Sequence, residues 1–263
     1  MIGLFLGEKK LPIEILNKIK KRKISYFIID LTRNNKFKKY KNNYFINIGQ
    51  FGKILELIHS KKCKKVLFAG NILKPKISKL KLDLKGVYYI PRIIRATKLG
   101  DAAILKELIT ILAENKIKVI KLNSFNPELT LRKGIYSKIK PSKLELKEIK
   151  KGIKFLNKTN AYDHIQATVI RNNKIVALEK NKGTEQMLTR IKRNKEKNGI
   201  LIKIPKKKQD LRADLPTVGI DTLKDCKKVG IKGLVLKSNQ NIFLDKKKSI
   251  KYANSNKMFI LVV

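Results

Sequence analysis

Four apolar runs of strand length in the first half of the chain, spaced by stretches of helical period, restrict the fold more than any other feature. They are IGLFLG (Ile2 to Gly7), ISYFIID (Ile24 to Asp30), VLFAG (Val66 to Gly70) and KVIKLN (Lys118 to Asn123). Between them lie LPIEILNKIKKRK, with Pro12 in its first turn, and FGKILELIHSK. A long helical pattern then runs from about Pro91 to Asn115, interrupted at Leu99-Gly100-Asp101. Strands buried on both faces and joined by helices form a parallel sheet, because only a helical crossover returns the chain to the same edge. The expected class is therefore α/β with a Rossmann-like layout, in which ligands bind beyond the carboxyl ends of the strands. Gly7, Asp30 and Gly70 fall there. The dinucleotide fingerprint is absent, since Gly3 and Gly7 are followed by Glu8-Lys9-Lys10, and this argues against an NAD enzyme.

Residues 1–125 read as this first domain and 126–141, NPELTLRKGIYSKIKP, as a linker or crossover. Residues 142–263 read as a mixed α/β domain without internal repeat. There, the helix SKLELKEIKKGIKFLNKT precedes two strands, IQATVI and KIVALEK, joined by a turn at Arg171-Asn172-Asn173. GTEQMLTRIKR opens a helix at Thr184, with Glu185 in its first turn. GILIKIP reads as a buried strand through Ile200, Ile202 and Ile204. After a polar loop come a helix (DTLKDCKKVG), strands GLVLKS and NIFLD across Asn239-Gln240, another helix and the strand MFILVV.

The formal net charge is +43, from 63 Lys and Arg against 20 Asp and Glu. The cations are mostly lysines spread evenly among Asn and Ile. No zinc-finger spacing, RNP-like motif or basic recognition helix accompanies them, so nucleic acid is not expected as a partner. Attraction to an anionic lipid surface suits the charge better, at roughly 1 kcal/mol per nearby Lys. Cys63 and Cys226 lack metal-ligand spacing and read as reduced thiols. His59 and His164 have no partners at ligand spacing and read as structural. No apolar run reaches the ~18 residues of a membrane span. The expected location is cytoplasmic, peripheral at most.

The polar loop carries the chemistry. From Lys203 to Gly219 it reads KIPKKKQDLRADLPTVG, gathering Lys206, Gln209, Asp210, Arg212 and Asp214 between a strand and a helix. Carboxylates can hold a hard cation while lysine and arginine neutralise phosphoryl oxygens. Pro216 keeps Leu215 out of the helical region, which holds Asp214 in an extended segment. Two further polar groups sit at strand or helix ends: Asp163 with Gln166, and Glu179 through Glu185. The plainer alternatives are a solvated strand end for Glu179 and an ordinary helix cap for Thr184. A serine elbow and a P-loop are both missing.

These residues resemble the LpxI-type UDP-2,3-diacylglucosamine pyrophosphatases of bacterial lipid A synthesis over nearly the whole chain. IGLFLGEKKLP, FGKI, LFAGNILKP, GDAAIL, IQATVI and ALEKNKGTEQML carry the resemblance, and KKKQDLRADLPTVG is its most specific part. It implies two domains enclosing the substrate and hydrolysis to UMP and 2,3-diacylglucosamine 1-phosphate with Mg²⁺, or Mn²⁺ as an alternative. A homodimer is compatible with it, and so is association with the cytoplasmic face of the inner membrane. The family's essential aspartate corresponds to Asp214. Arg212, Lys206 and Gln209 are expected beside it in catalysis, and Glu179 and Glu185 with Asp214 around the metal. Gly7, Leu11, Pro12, Gly70, Asp101, Gln166, Thr184 and Thr217 are expected at the substrate. The chain departs from the pattern at Glu8-Lys9-Lys10, Ala102, Ile165, Glu185 and Lys207. A binding protein that keeps the UDP-sugar without turning it over is the alternative those departures suggest. A basic protein that holds anionic lipid or nucleic acid without catalysis is the other.

Overall fold

The computed structural model describes residues 1–72, 80–159, 165–180, 183–193, 196–207 and 209–263. The chain divides into two units. The first comprises Met1–Asn126 together with Arg212–Asp214, and the second Pro127–Leu211 with Leu215–Val263. No helix among the described residues is long and apolar enough to cross a membrane.

The first unit runs β1 (Ile2–Leu6), α1 (Leu11–Lys21), β2 (Tyr26–Asp30), β3 (Asn43–Phe45), α2 (Phe51–Ser60), β4 (Lys65–Ala69), α3 (Leu84–Leu99), α4 (Asp101–Glu114), β5 (Lys118–Val119) and α5 (Leu122–Phe125). Its sheet has the order β3-β2-β1-β4-β5, and each pairing is parallel. Successive side chains point to opposite faces. Phe5, Phe27, Ile29 and Phe68 go to the face covered by Ile54, Leu55 and Ile58 of α2 and Ile109 and Leu112 of α4. Leu4, Leu6 and Ile28 alternate to the other face and are fully buried. The strand β3 has no counterpart among the expected strands. It is a three-residue edge with Phe45 exposed, too short to show a pattern.

The helix expected from about Pro91 begins instead at Leu84, because Asp83 caps it. The Asp83 carboxylate accepts the Gly86 amide at 2.8 Å and the Lys53 amide at 3.0 Å, joining the starts of α3 and α2. Burial opposes its ionisation, but the amides of Lys53, Gly52 and Gly86 outweigh that and hold the carboxyl below its ordinary range. Midway along α3, Arg92 clips it to α4, with Nε 2.6 Å from Glu107 and two nitrogens on Glu114 at 2.7 and 2.8 Å.

The second unit opens with a 3-10 turn at Pro127–Leu129 and continues β6 (Gly134–Ile135), α6 (Lys143–Thr159), β7 (Ala167–Arg171), β8 (Lys174–Leu178), α7 (Gly183–Thr189), β9 (Gly199–Lys203), β10 (Thr217–Val218), α8 (Ile220–Lys228), β11 (Ile231–Leu236), β12 (Ile242–Phe243), α9 (Lys246–Ser255) and β13 (Phe259–Val262). Six strands form a mixed sheet in the order β6-β13-β11-β9-β7-β8. β13, β11 and β9 are parallel, while β6, β7 and β8 join antiparallel. Residues 126–141, expected as a connection, thus supply an edge strand of this sheet. The β7–β8 turn has Asn172 and Asn173 at φ 48° and 59°, the left-handed pair that a two-residue hairpin needs.

The alternation of β9 sorts the layers. Ile200, Ile202 and Ile204 pack with Ile149 and Leu156 of α6 on one face. Leu201 faces the other, with Met187 and Leu188 of α7, Leu223 and Cys226 of α8 and Ala253 of α9. Lys203 has the parity of Leu201, which directs its side chain to the α7 side. The two cysteines are buried and unbridged, and burial raises the Cys226 thiol well above its ordinary range.

Candidate functional site

A lysine at the buried end of a central strand needs a partner, and Lys203, 6% exposed, has one in α7. Its Nζ lies 2.7 Å from Thr184 Oγ1, and that hydroxyl donates to Glu179 Oε1 at 2.6 Å. Glu179 is 1% exposed, and its Oε2 accepts the Gln166 amide at 3.0 Å. Three elements are pinned by one buried polar chain: the end of β8, the first turn of α7 and the end of β9. Glu179 is therefore not a solvated strand end. Thr184 is not a helix cap, since it lies inside α7 with its hydroxyl spent on a side chain.

The polar loop leaves from this point under constraint. Asn241, 2% exposed, donates to the Lys203 carbonyl at 3.1 Å and accepts the Lys237 amide at 2.8 Å. Gln209 closes the next turn on itself. Its side-chain oxygen accepts the Lys206 amide at 2.9 Å, and its own amide donates to the Lys206 carbonyl at 3.2 Å. At the far side Thr217 Oγ1 donates to the Leu215 carbonyl at 3.2 Å, and Thr217–Val218 pairs with β12. In between, Arg212–Asp214 packs with the first unit. The Arg212 carbonyl accepts the Leu122 amide at 3.2 Å, and Ala213 lies against the apolar cluster of α2 and α4. Arg212 also borders a surface pocket with Ile109, Ala113 and Lys118. Asp214 is half-buried.

The remaining expected residues belong to the first unit. Gly7 and Gly70 lie where the loops after β1 and β4 cross. The Glu8 and Asn71 amides donate to each other's carbonyls at 2.8 and 3.2 Å, and the Gly7 amide donates to Ala69 at 2.9 Å. A methyl on Gly7 would meet the Asn71 carbonyl at 2.4 Å, and one on Gly70, at φ +91°, the Glu8 carbonyl at 2.6 Å. Both glycines permit this crossing, and its amides are engaged with each other rather than aimed at a phosphate. Pro12 packs on Gly70, and Leu11 begins α1 beside it. Glu8 turns outward to Lys36 and the Arg33 amide, and the Lys36 ammonium holds its carboxyl below the ordinary range. The Asp30 carboxyl is fully enclosed, accepting the Thr32 and Phe37 amides at 2.8 and 2.9 Å and the Thr32 hydroxyl at 2.6 Å. Asp101 is exposed at the start of α4, while Ala102 beside it is buried.

Both halves of the chain match known family models. The LpxI N-terminal domain matches residues 1–129 and the LpxI C-terminal domain residues 132–261. This chain belongs to the LpxI family. It is also similar to the UDP-2,3-diacylglucosamine pyrophosphatase LpxI of Caulobacter vibrioides, at 29% identity over 226 residues, 83% of this chain and 81% of that protein.

Within the LpxI fold seen here, the expected residues separate into three sets. Gln166, Glu179 and Thr184 converge through hydrogen bonds, with Lys203 as their fourth member. Lys206, Gln209 and Thr217 form the neck of the loop. Arg212 and Asp214, with Gly7, Leu11, Pro12, Gly70 and Asp101, are counted in the first unit. Lys203 was not among the expected site residues, although a cation of inward parity in a strand otherwise apolar throughout was a readable signal. Asp163 and His164 lie outside the described residues.

The acids differ in what they could offer Mg²⁺. Among the described residues no group of three or more Asp, Glu, His or Cys side chains is placed to hold a metal. Glu179 is a poor ligand, because its two oxygens already serve Gln166 and Thr184. Glu185, exposed on the first turn of α7, does not share its environment.

Proposed function

We propose that this chain hydrolyses UDP-2,3-diacylglucosamine at its pyrophosphate, giving UMP and 2,3-diacylglucosamine 1-phosphate. The observation that carries the reading is the match of both LpxI domain models, which together account for nearly all residues, with the similarity to a relative named for this substrate. The KKKQDLRADLPTVG loop adds chemistry suited to it, with cations and a carboxylate on one braced segment.

Water attacks the β-phosphorus, the bond from that phosphorus to the bridging oxygen breaks, and UMP leaves with that oxygen. Asp214 orients the water by accepting a hydrogen bond from it, and the proton the water loses as the phosphorus–oxygen bond forms passes through this carboxylate to solvent. Arg212 and Lys206 offset the negative charge that builds on the phosphoryl oxygens. Mg²⁺ bound with the pyrophosphate would lower the same charge, with Asp214 as its protein ligand. Gln209 acts through the loop by closing the turn at Lys206. The Glu179–Thr184–Lys203 chain fixes the strand from which the loop departs, so that its cations need no reorganisation during reaction.

UMP release from UDP-2,3-diacylglucosamine with Mg²⁺ tests the proposal, with wild type compared with Asp214→Ala. We expect hydrolysis by the wild type and a loss on the order of 100-fold or more in the variant. In H₂¹⁸O the label should enter the sugar phosphate and not UMP. A folded wild type that binds the substrate and releases no UMP would overturn the reading and leave a binding protein.

A further inference from the structure

Helix α3 presents its apolar side outward. Leu84 is 91% exposed, Tyr88 73% and Leu99 73%, and Val87, Pro91 and Ile94 are exposed with them. Spacings of three, four and seven residues place Leu84, Val87, Tyr88, Pro91 and Ile94 on one stripe along about 15 Å of helix, with Leu99 at its far end. The buried side of α3 is modest, comprising Gly86, Tyr89 and Ala96. Lys85, Arg95 and Lys98 are exposed on this same side, and none of them is ion-paired among the described residues. The helix contains no Asp or Glu. Asp83 before it is engaged by backbone amides, and Asp101 after it lies in α4.

An apolar stripe of this size facing water is unusual for a chain in which charged residues dominate the surface. A stripe flanked by Lys85 and continued on the same face by Arg95 and Lys98, with no acid in the helix, has the complement of an anionic bilayer: apolar side chains enter the acyl boundary and cations meet the headgroups. A protein partner would need acidic rims, and a second copy of this chain, at +43, would bring more cations to the same place.

We propose that the outer face of α3 docks this protein on an anionic membrane surface, with Leu84, Val87 and Tyr88 inserted and Lys85, Arg95 and Lys98 against the headgroups. Arg92 stays below the contact, clipped to Glu107 and Glu114 of α4, so the two helices enter as a rigid pair. The assignment stands apart from the reaction, since none of these residues has a place in the proposed chemistry.

The chain has no tryptophan, so Tyr88→Trp makes a single reporter at the contact. Vesicles of phosphatidylglycerol and phosphatidylethanolamine should shift its emission to the blue and cosediment the protein, and phosphatidylcholine vesicles should do neither. The triple variant Leu84→Ser, Val87→Ser and Tyr88→Ser should weaken cosedimentation on the order of 100-fold, and Lys85→Gln with Arg95→Gln and Lys98→Gln by a similar factor. UMP release from detergent-dispersed substrate reports folding of both variants. The proposal is overturned by cosedimentation without a blue shift, by serine variants that bind as the wild type does, or by no binding at all. A dimer in solution that the serine substitutions dissolve would overturn it too, by giving the stripe to a second copy.

Discussion

Replacing Thr184 by valine removes one hydroxyl and leaves the shape of the side chain almost unchanged, so its cost isolates the buried polar chain. That hydroxyl donates to Glu179 at 2.6 Å and accepts from Lys203 at 2.7 Å. Each bond joins a charged group and is worth about 1.5–3 kcal/mol, because a buried partner left alone bears its full desolvation. The new methyl returns about 0.8 kcal/mol. The net expectation is a loss of about 3 kcal/mol, or a fall of about 6–12 °C in the Tm of the second unit. Thr184→Ser keeps the hydroxyl and loses a methyl, so it should cost only about 1 kcal/mol. Calorimetry on the three proteins gives the comparison. Lys203→Met should also cost less in the Thr184→Val background than alone, with a coupling above about 1 kcal/mol. Equal losses for valine and serine, or additive effects with Lys203→Met, would refute the claim that this hydroxyl joins two buried charges.

Asp83→Ala should destabilise the first unit by about 1 kcal/mol at neutral pH, the usual worth of a helix cap. The folded carboxyl lies below its unfolded value, so its contribution is complete above that value, near 3.9, and is lost as pH falls through the folded one. Thermal unfolding of both proteins should therefore converge toward pH 2. Gly70→Ala should cost about 2–3 kcal/mol from left-handed backbone and a carbonyl clash together. Gly183→Ala, at φ +82° with open space around it, should cost no more than about 1 kcal/mol. Melting temperatures separate the two. Thiol titration of the native chain should find both cysteines silent, and denaturant should release two equivalents.

The sheets were legible because burial leaves a direct imprint on sequence. β1, β2 and β4 are apolar on both faces, as central parallel strands must be, and that fixed their class. β3 was not legible, because a three-residue edge strand buries too little to need an apolar code. The start of α3 was missed for a different reason: Pro91 resembles a first-turn residue, whereas here it lies inside a helix begun by the Asp83 cap. The Lys203–Gly219 loop could be read as chemistry from its composition. Its internal bracing could not, because the bond from Gln209 to the Lys206 amide depends on a turn that no pattern announces. Glu179 and Lys203 are far apart in sequence, and only the pairing of β7 with both β8 and β9 makes them neighbours.

The placement of Arg212–Asp214 with the first unit bears on how the chain is made. A ribosome releases residues 1–126 first, yet the Leu122 amide lacks its Arg212 acceptor, and the α2–α4 cluster lacks Ala213, until β6 to β9 have been synthesised. The N-terminal unit therefore finishes late. A gene cut at residue 126 would yield a fragment with an open seam, and a separately supplied C-terminal half would have to close it. Fusion, splitting or grafting of these halves at their apparent boundary divides the first unit from Arg212, Ala213 and Asp214.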